Sequence, residues 1–267
     1  MTGTLTRRLA AASLLAFGLS FPSSAPAACA PDSAVVITYG NGMYISPARA
    51  RVQALLMDAK IRPSLPGGIA PVFTYSYNNS EDDVTQVLQV LGQAFDDAAI
   101  RYQSWLNAPS GAPAPFRNAV RSRQESARVG NYVRDADLNA HVARYNADLG
   151  AGRRVIVLAH SQGNFYANHA HEQLSSTAGF GIVSVGTPAG YTAGNGPYTT
   201  LTTDKIIDPI PGRRAPNTTN GAAFNASVRD ADGHSFSASY LAGDVSGPKI
   251  VGQVLSVLAA VGCPATP

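Results

Sequence analysis

Short runs of apolar residues alternate along the chain with segments in which apolar residues recur at helical spacing. The runs predict strands over 34–39, 72–77, 155–159, 181–188 and 198–203. The intervening segments have the one-sided apolar pattern of amphipathic helices, as at Leu138, Val142, Tyr145 and Leu149. Strands that alternate with helices predict an α/β protein with a mainly parallel sheet and helices on both faces.

Capping residues and glycines predict where the helices begin and end. Ser46 and Pro47 begin a helix that continues to about Arg62, because serine caps helices and proline suits their first position. A second helix is predicted over 80–105, a third ends at Gly150, and the last covers 250–261. Segment 78–152 is much longer than the connection in a plain βαβ unit of about 30 residues. It therefore has room for an extra helix or a lid over a site.

The first 28 residues have the pattern of a secretory signal peptide. Arg7 and Arg8 precede an apolar stretch over 9–19, and small residues at 25–27 suit a cleavage site. The apolar stretch is too short for a membrane-spanning helix, which needs about 20 residues. We therefore expect residues 29–267 to form one α/β domain of a secreted or periplasmic protein.

Charge gives little reason to expect a nucleic-acid partner. The chain has 20 basic residues (Lys and Arg) and 17 acidic residues, and removal of Arg7 and Arg8 leaves 18 against 17. A nearly neutral mature protein has no basic excess to bind phosphates. No later apolar run reaches membrane-spanning length, so stable membrane insertion is not expected either.

The two cysteines, Cys29 and Cys263, lie near the two ends of the mature chain. Export places them in an oxidising compartment, which favours a disulfide between them. Two unpaired thiols are the alternative. Neither cysteine has a histidine close to it in sequence, so neither is a candidate nucleophile.

One motif carries most of the chemical information. His160-Ser161-Gln162-Gly163 follows a predicted strand and precedes a helix-compatible segment. This context favours a sharp, strained turn that exposes the serine Oγ. Small residues on both sides of such a serine relieve crowding, and Ala159 and Gly163 meet that need. A serine in an ordinary turn is the alternative.

The Ala-His-Ser-Gln-Gly sequence is similar to the Ala-x-Ser-x-Gly elbow of small bacterial lipases, and the chain resembles the lipase and esterase branch of the α/β-hydrolase superfamily. The resemblance implies a single-domain α/β-hydrolase fold with Ser161 as nucleophile and the N–H of Gln162 as an oxyanion donor. In this superfamily the loop after the first core strand supplies another donor. Asn41-Gly42-Met43 occupies that place, which implies the N–H of Met43, although a plain glycine turn is the alternative.

The order of the superfamily's triad, serine then acid then histidine, selects the remaining residues. Four histidines precede the serine or lie on the helix just after it: His141, His160, His169 and His171. His234 remains as the general base. The acid is Asp204 or Asp208, and we favour Asp204 because the prolines after Asp208 suggest that the chain has already left the sheet there.

The predicted chemistry is hydrolysis of a small-molecule or lipid ester through an acyl-enzyme. It requires no cofactor, and no metal site is predicted, since His169 and His171 diverge too far on a helix to form a good metal pair. An acyltransferase would use the same triad with an alcohol as acceptor. A non-catalytic binding protein on a hydrolase scaffold is the third hypothesis for the function, although such a protein would usually lack one triad residue.

Overall fold

The computed structural model of the protein describes residues 35–42, 45–79, 135–208, 210, 213–222 and 230–262. The predicted signal peptide, the helix predicted over 80–105, Met43 and both cysteines lie outside these residues. The disulfide and the signal peptide therefore stay predictions.

The described residues contain a five-stranded, fully parallel sheet in the order β2–β1–β3–β4–β5. The strands are β1 (Val35–Gly40), β2 (Pro71–Ser76), β3 (Arg154–His160), β4 (Phe180–Val185) and β5 (Tyr198–Thr199). The strand order reverses between β1 and β3. In open parallel sheets, ligands bind in the crevice outside the carboxyl ends of the strands at such a reversal. The residues that follow β1 and β3 are therefore the natural place for a site.

Helices cover both faces of the sheet. They are α1 (Pro47–Ile61), α2 (Asp135–Gly150), α3 (Gly163–Gln173) and α4 (Ser246–Ala260), with a π-helical turn over Phe236–Leu241. The predicted start of α1 is confirmed, because the Ser46 side chain accepts a hydrogen bond from the Arg49 N–H and Pro47 is the first helical residue.

Alternate residues of the central strands enter two separate apolar cores. Ile37 and Leu158 pack with α1, α4 and the π-helical turn, whereas Val36 and Val157 pack with α2 and α3. Burial on both faces explains why these strands are continuous apolar runs rather than alternating ones. The predicted α/β class, with a parallel sheet between two helical layers, is confirmed.

One predicted strand is shorter than expected. The strand predicted over 198–203 pairs with β4 only at Tyr198–Thr199, and Leu201 then makes an isolated bridge to Thr218.

Helix α2, part of the predicted insertion, buries Leu138, Tyr145 and Leu149 against the sheet. This part of the insertion is therefore a layer of the core and not a lid. None of the helices described combines the length and the apolar character needed to cross a membrane.

Candidate active site

Ser161 occupies a strained turn at the carboxyl end of β3. Its φ of 54° lies in the left-handed region, which costs a non-glycine residue about 1–2 kcal/mol. The turn is held to β4, because the Ser161 N–H donates to the Val185 carbonyl at 3.1 Å. The buried Asn164 amide donates to the carbonyls of both Ser161 and Val185, at 2.9 and 3.2 Å. Local strain is thus maintained by surrounding hydrogen bonds, as at many functional sites.

Two glycines allow the chain after β1 to lie against this turn. A Cβ on Gly163 would come within 2.5 Å of the Gly40 carbonyl oxygen. A Cβ on Gly42 would come within 2.8 Å of the Ser161 Cβ and 3.3 Å of its Oγ. The close packing also corrects one expectation: Ser161 is only 3% exposed, not open to solvent, because the segment after β1 lies over it.

Asp204 and His234 are in direct contact. The imidazole Nδ1 of His234 lies 2.9 Å from Asp204 Oδ2, and because a carboxylate only accepts, the proton resides on Nδ1. The Tyr240 hydroxyl donates to the same oxygen at 2.6 Å. The N–H groups of Ile206 and Ile207 donate to Oδ1. With four donors, this buried carboxylate is well satisfied and fixes the histidine tautomer.

The surroundings of His234 favour its protonated form. Burial by itself lowers its pKa, but the charge of Asp204, the hydrogen bond to it, and the charges of Asp230 and Asp232 together raise the pKa above its ordinary value of 6.5. The imidazole remains 20% exposed, so it is also accessible. The site therefore stabilises imidazolium, which a general base becomes during catalysis.

Asp208, the alternative acid, has a different environment. Its side chain is 63% exposed and pairs with Arg213 at 2.5 Å. No hydrogen bond described for Asp208 involves a histidine. The geometry thus places Asp204, rather than Asp208, against His234.

The loops that carry Asp204 and His234 are joined by their main chains. The Lys205 N–H donates to the Asp232 carbonyl at 2.8 Å. Gly233 has a φ of 67°, and a Cβ there would come within 2.5 Å of the Thr203 carbonyl oxygen. Asp230 accepts hydrogen bonds from the Ser235 N–H and the Ser239 hydroxyl. Because a Cβ at Gly233 would collide with Thr203, glycine is needed there for the loop of His234 to cross the loop of Asp204.

Of the two predicted oxyanion donors, Gln162 and Met43, the structure describes only Gln162. Gln162 occupies the N-cap position of α3 without a capping hydrogen bond from its side chain, and its N–H is not among the donors in the hydrogen bonds of the described residues. The first N–H groups of a helix commonly lack intrahelical partners and can bind an anion. Met43 lies outside the described residues, so its predicted role stays a prediction.

Asn41 and Asn78 hold the chain at this point by three hydrogen bonds to each other. The Asn78 N–H donates to the Asn41 side-chain oxygen at 2.8 Å, and the Asn78 amide donates to the Asn41 carbonyl at 2.6 Å. The Asn41 amide donates in turn to the carbonyls of Gly42 and Asn78. The segment that lies on Ser161 is therefore fixed to the end of β2.

The other four histidines make no hydrogen bond to Asp204 among the residues that the structure describes, and each has a different neighbour. His141 on α2 contacts the Tyr77 carbonyl at 3.0 Å, and burial lowers its pKa. His169 pairs with Glu172 on the same helix, and His171 faces Gly194. His160 contacts the main chain of His234 at 2.9 Å. In the described part of the chain, no group of three or more potential ligands is arranged to hold a metal ion.

A cavity of about 410 Å³ lies away from Ser161, Asp204 and His234. It is lined by His171 on α3, by the beginning of β4, by 193–197, and by the end of α4 together with Val261. Since β3 and β4 are parallel, the beginning of β4 is at the opposite sheet edge from Ser161. The cavity is therefore not part of the candidate site.

Several site residues were not identified from the sequence. Tyr240 lies in a segment of alternating serines and apolar residues and looks like a core residue, and Asn164 looks like an ordinary helix residue. Asn41 was selected only as part of Asn41-Gly42-Met43, and its pairing with Asn78, 37 positions away, has no local pattern. The sequence has no local pattern that marks Tyr240, Asn164 or Asn78 as part of the site.

No protein-family model, curated protein or solved structure matches this chain.

Proposed function

We propose that the protein is a secreted or periplasmic serine hydrolase that cleaves carboxylic esters. The observation that supports it most is the contact between His234 Nδ1 and Asp204 Oδ2, at the sheet edge where Ser161 is held in a strained turn. Serine, acid and histidine follow one another in the order of the α/β-hydrolase triad. The β2–β1–β3–β4–β5 order is shared by other doubly wound sheets, so the hydrolase assignment depends on the site and not on the sheet.

The reaction proceeds through an acyl-enzyme. The unprotonated Nε2 of His234 takes the proton of Ser161 as Oγ bonds to the substrate carbonyl carbon. The N–H groups of Gln162 and Met43 stabilise the resulting oxyanion, and one such donor contributes about 3–4 kcal/mol in the transition state. Collapse of the intermediate expels the alcohol, which receives the proton from His234. Water activated by the same histidine then releases the acid and regenerates the serine.

The raised pKa of His234 suits this role. Asp204 accepts the Nδ1 proton and stabilises the imidazolium that forms in both halves of the reaction. The resemblance to lipases suggests ester or lipid substrates, and the chemistry requires no cofactor.

A fluorophosphonate probe tests the proposal, followed by p-nitrophenyl esters of increasing chain length. We expect labelling of the wild-type protein on Ser161 and measurable ester hydrolysis. Ser161→Ala should abolish the label and lower turnover by several orders of magnitude, while the melting temperature stays within a few degrees because only one hydroxyl is lost. His234→Ala should be similarly inactive, and the double variant little worse, since residues that act as a unit are non-additive.

A folded wild-type protein that reacts with neither the probe nor any ester would contradict the proposal and favour a binding protein. Labelling with acyl transfer to an added alcohol, and no hydrolysis, would favour an acyltransferase instead.

A further inference from the structure

His160 is enclosed between the nucleophile strand and the segment that carries His234. It is the last residue of β3, directly precedes Ser161, and is 4% exposed. Its ring packs on the His234 ring, with centroids 4.7 Å apart, and contacts Phe236 and Tyr240 at 5.5 and 5.8 Å. A buried polar ring therefore lies beside the candidate base.

The hydrogen bond of His160 defines its tautomer. Nε2 lies 2.9 Å from the His234 carbonyl oxygen, which only accepts, so Nε2 carries the proton. Nδ1 is buried with no hydrogen-bond partner among the described residues. Burial, and then the nearby charge of His234, hold the pKa of His160 well below 6.5, although the bond to the carbonyl raises it. The ring is therefore neutral with a bare Nδ1.

We propose that His160 is a positioning residue, which sets the placement of His234 relative to Ser161; this inference rests on the proposed function. Its side chain holds the His234 main chain, while its own main chain continues directly into Ser161. Asp204 holds the imidazole of His234 through Nδ1. A single hydrogen bond, from His160 to the His234 carbonyl, thus connects the base to the residue that directly precedes the nucleophile.

Packing alone would not require a hydrogen-bond donor at this position. An apolar aromatic ring could also contact Phe236 and Tyr240, and it would leave no Nδ1 buried without a partner. Burial of an unpaired polar atom costs free energy. The presence of histidine at position 160 is therefore explained by the hydrogen bond from its Nε2 to the His234 carbonyl. A side chain that places a donor at the same point should retain the function of His160.

The two variants His160→Phe and His160→Gln separate these roles. Phenylalanine keeps an aromatic ring without a donor, whereas the glutamine amide supplies a donor at about the reach of Nε2. For His160→Phe we expect kcat on a p-nitrophenyl ester to fall by about 10- to 100-fold, as an error of up to about 1 Å in the base can cause. KM should change little, the fluorophosphonate rate should fall in parallel, and His160→Gln should recover most of the loss.

A measurement on the wild-type protein is independent of how the variants fold. Nitrogen-15 NMR of the imidazoles should show His160 as the neutral Nε2–H tautomer throughout the pH range in which His234 titrates. An Nδ1–H tautomer, or titration of His160 in that range, would overturn the inference.

The outcomes distinguish the inference from the proposed function. A wild-type protein labelled on Ser161, with His160→Phe equally active, would remove the role of His160 and leave the hydrolase standing. Equal losses in both variants would also overturn the inference, since the donor would then not matter. A folded wild-type protein that is neither labelled nor active would remove the proposed function, and the inference with it.

Discussion

His234 Nδ1 and Asp204 Oδ2 are 2.9 Å apart, although the two residues are separated by 30 positions in the chain. The contact joins two loops at the carboxyl edge of the sheet, and the Tyr240 hydroxyl shares the same carboxylate oxygen. An acid so held can keep the imidazole in one tautomer and one orientation, as a catalytic base requires.

Replacement of each candidate acid by asparagine tests which one orients the histidine. Asp204→Asn should lower kcat by up to about 10⁴-fold, because the amide cannot stabilise the required tautomer and its imidazolium. Asp208→Asn is the matched control and should have a small effect, since Asp208 is exposed and pairs with Arg213. Steady-state kinetics on a p-nitrophenyl ester measures both. The reverse ranking would assign the role to Asp208.

Tyr240→Phe should destabilise the protein and lower activity moderately. The change removes one of four donors to a buried carboxylate and also the acceptor of the Leu201 N–H, and an unmade buried hydrogen bond costs about 1–3 kcal/mol. Tyr191→Phe is a suitable control, because its hydroxyl also donates to a carboxylate, Glu172, but at the surface. Chemical denaturation measures both variants. Equal stability losses would show that the bond to Asp204 has no special weight.

The pKa of His234 should be measurable above 6.5 by NMR titration, and kcat/KM should rise with pH as this group loses its proton. Because the pKa is raised in the folded state, protonated His234 stabilises the fold. That contribution is complete below the unfolded pKa and disappears as pH rises through the folded pKa. Asp204→Asn should lower the His234 pKa by removing the nearest charge. A wild-type pKa at or below 6.5 would contradict the electrostatic account.

Gly233→Ala should reduce both stability and activity. Alanine at a φ of 67° is strained, and its Cβ would come within 2.5 Å of the Thr203 carbonyl oxygen, so the loop that carries His234 must shift. Gly252→Ala on α4 is the control, since nothing lies within 4 Å of its Cβ. In a helix this change should stabilise by about 0.5–1 kcal/mol. Thermal melts and ester kinetics compare the two, and a fully active Gly233→Ala would disprove the requirement for glycine.

The sequence determined the elements because their signals are local. Apolar runs for β1, β3 and β4, the Ser46-Pro47 start of α1, and the strand–serine–helix order at 155–168 depend only on neighbouring residues. Ser161, His234 and the candidate acids could therefore be selected from the chain alone, with the help of the triad order.

Only the tertiary structure decided which of these residues meet. The choice between Asp204 and Asp208 depends on a turn that follows β5, and a difference of four positions in the chain separates a buried acid from an exposed one. The contacts of Asn41 with Asn78, of Tyr240 with Asp204 and of His160 with His234 join segments 30 or more residues apart. The burial of Ser161 comes from packing of the segment after β1. Such contacts leave no local pattern, because the partners are brought together by the sheet and not by their neighbours in the chain.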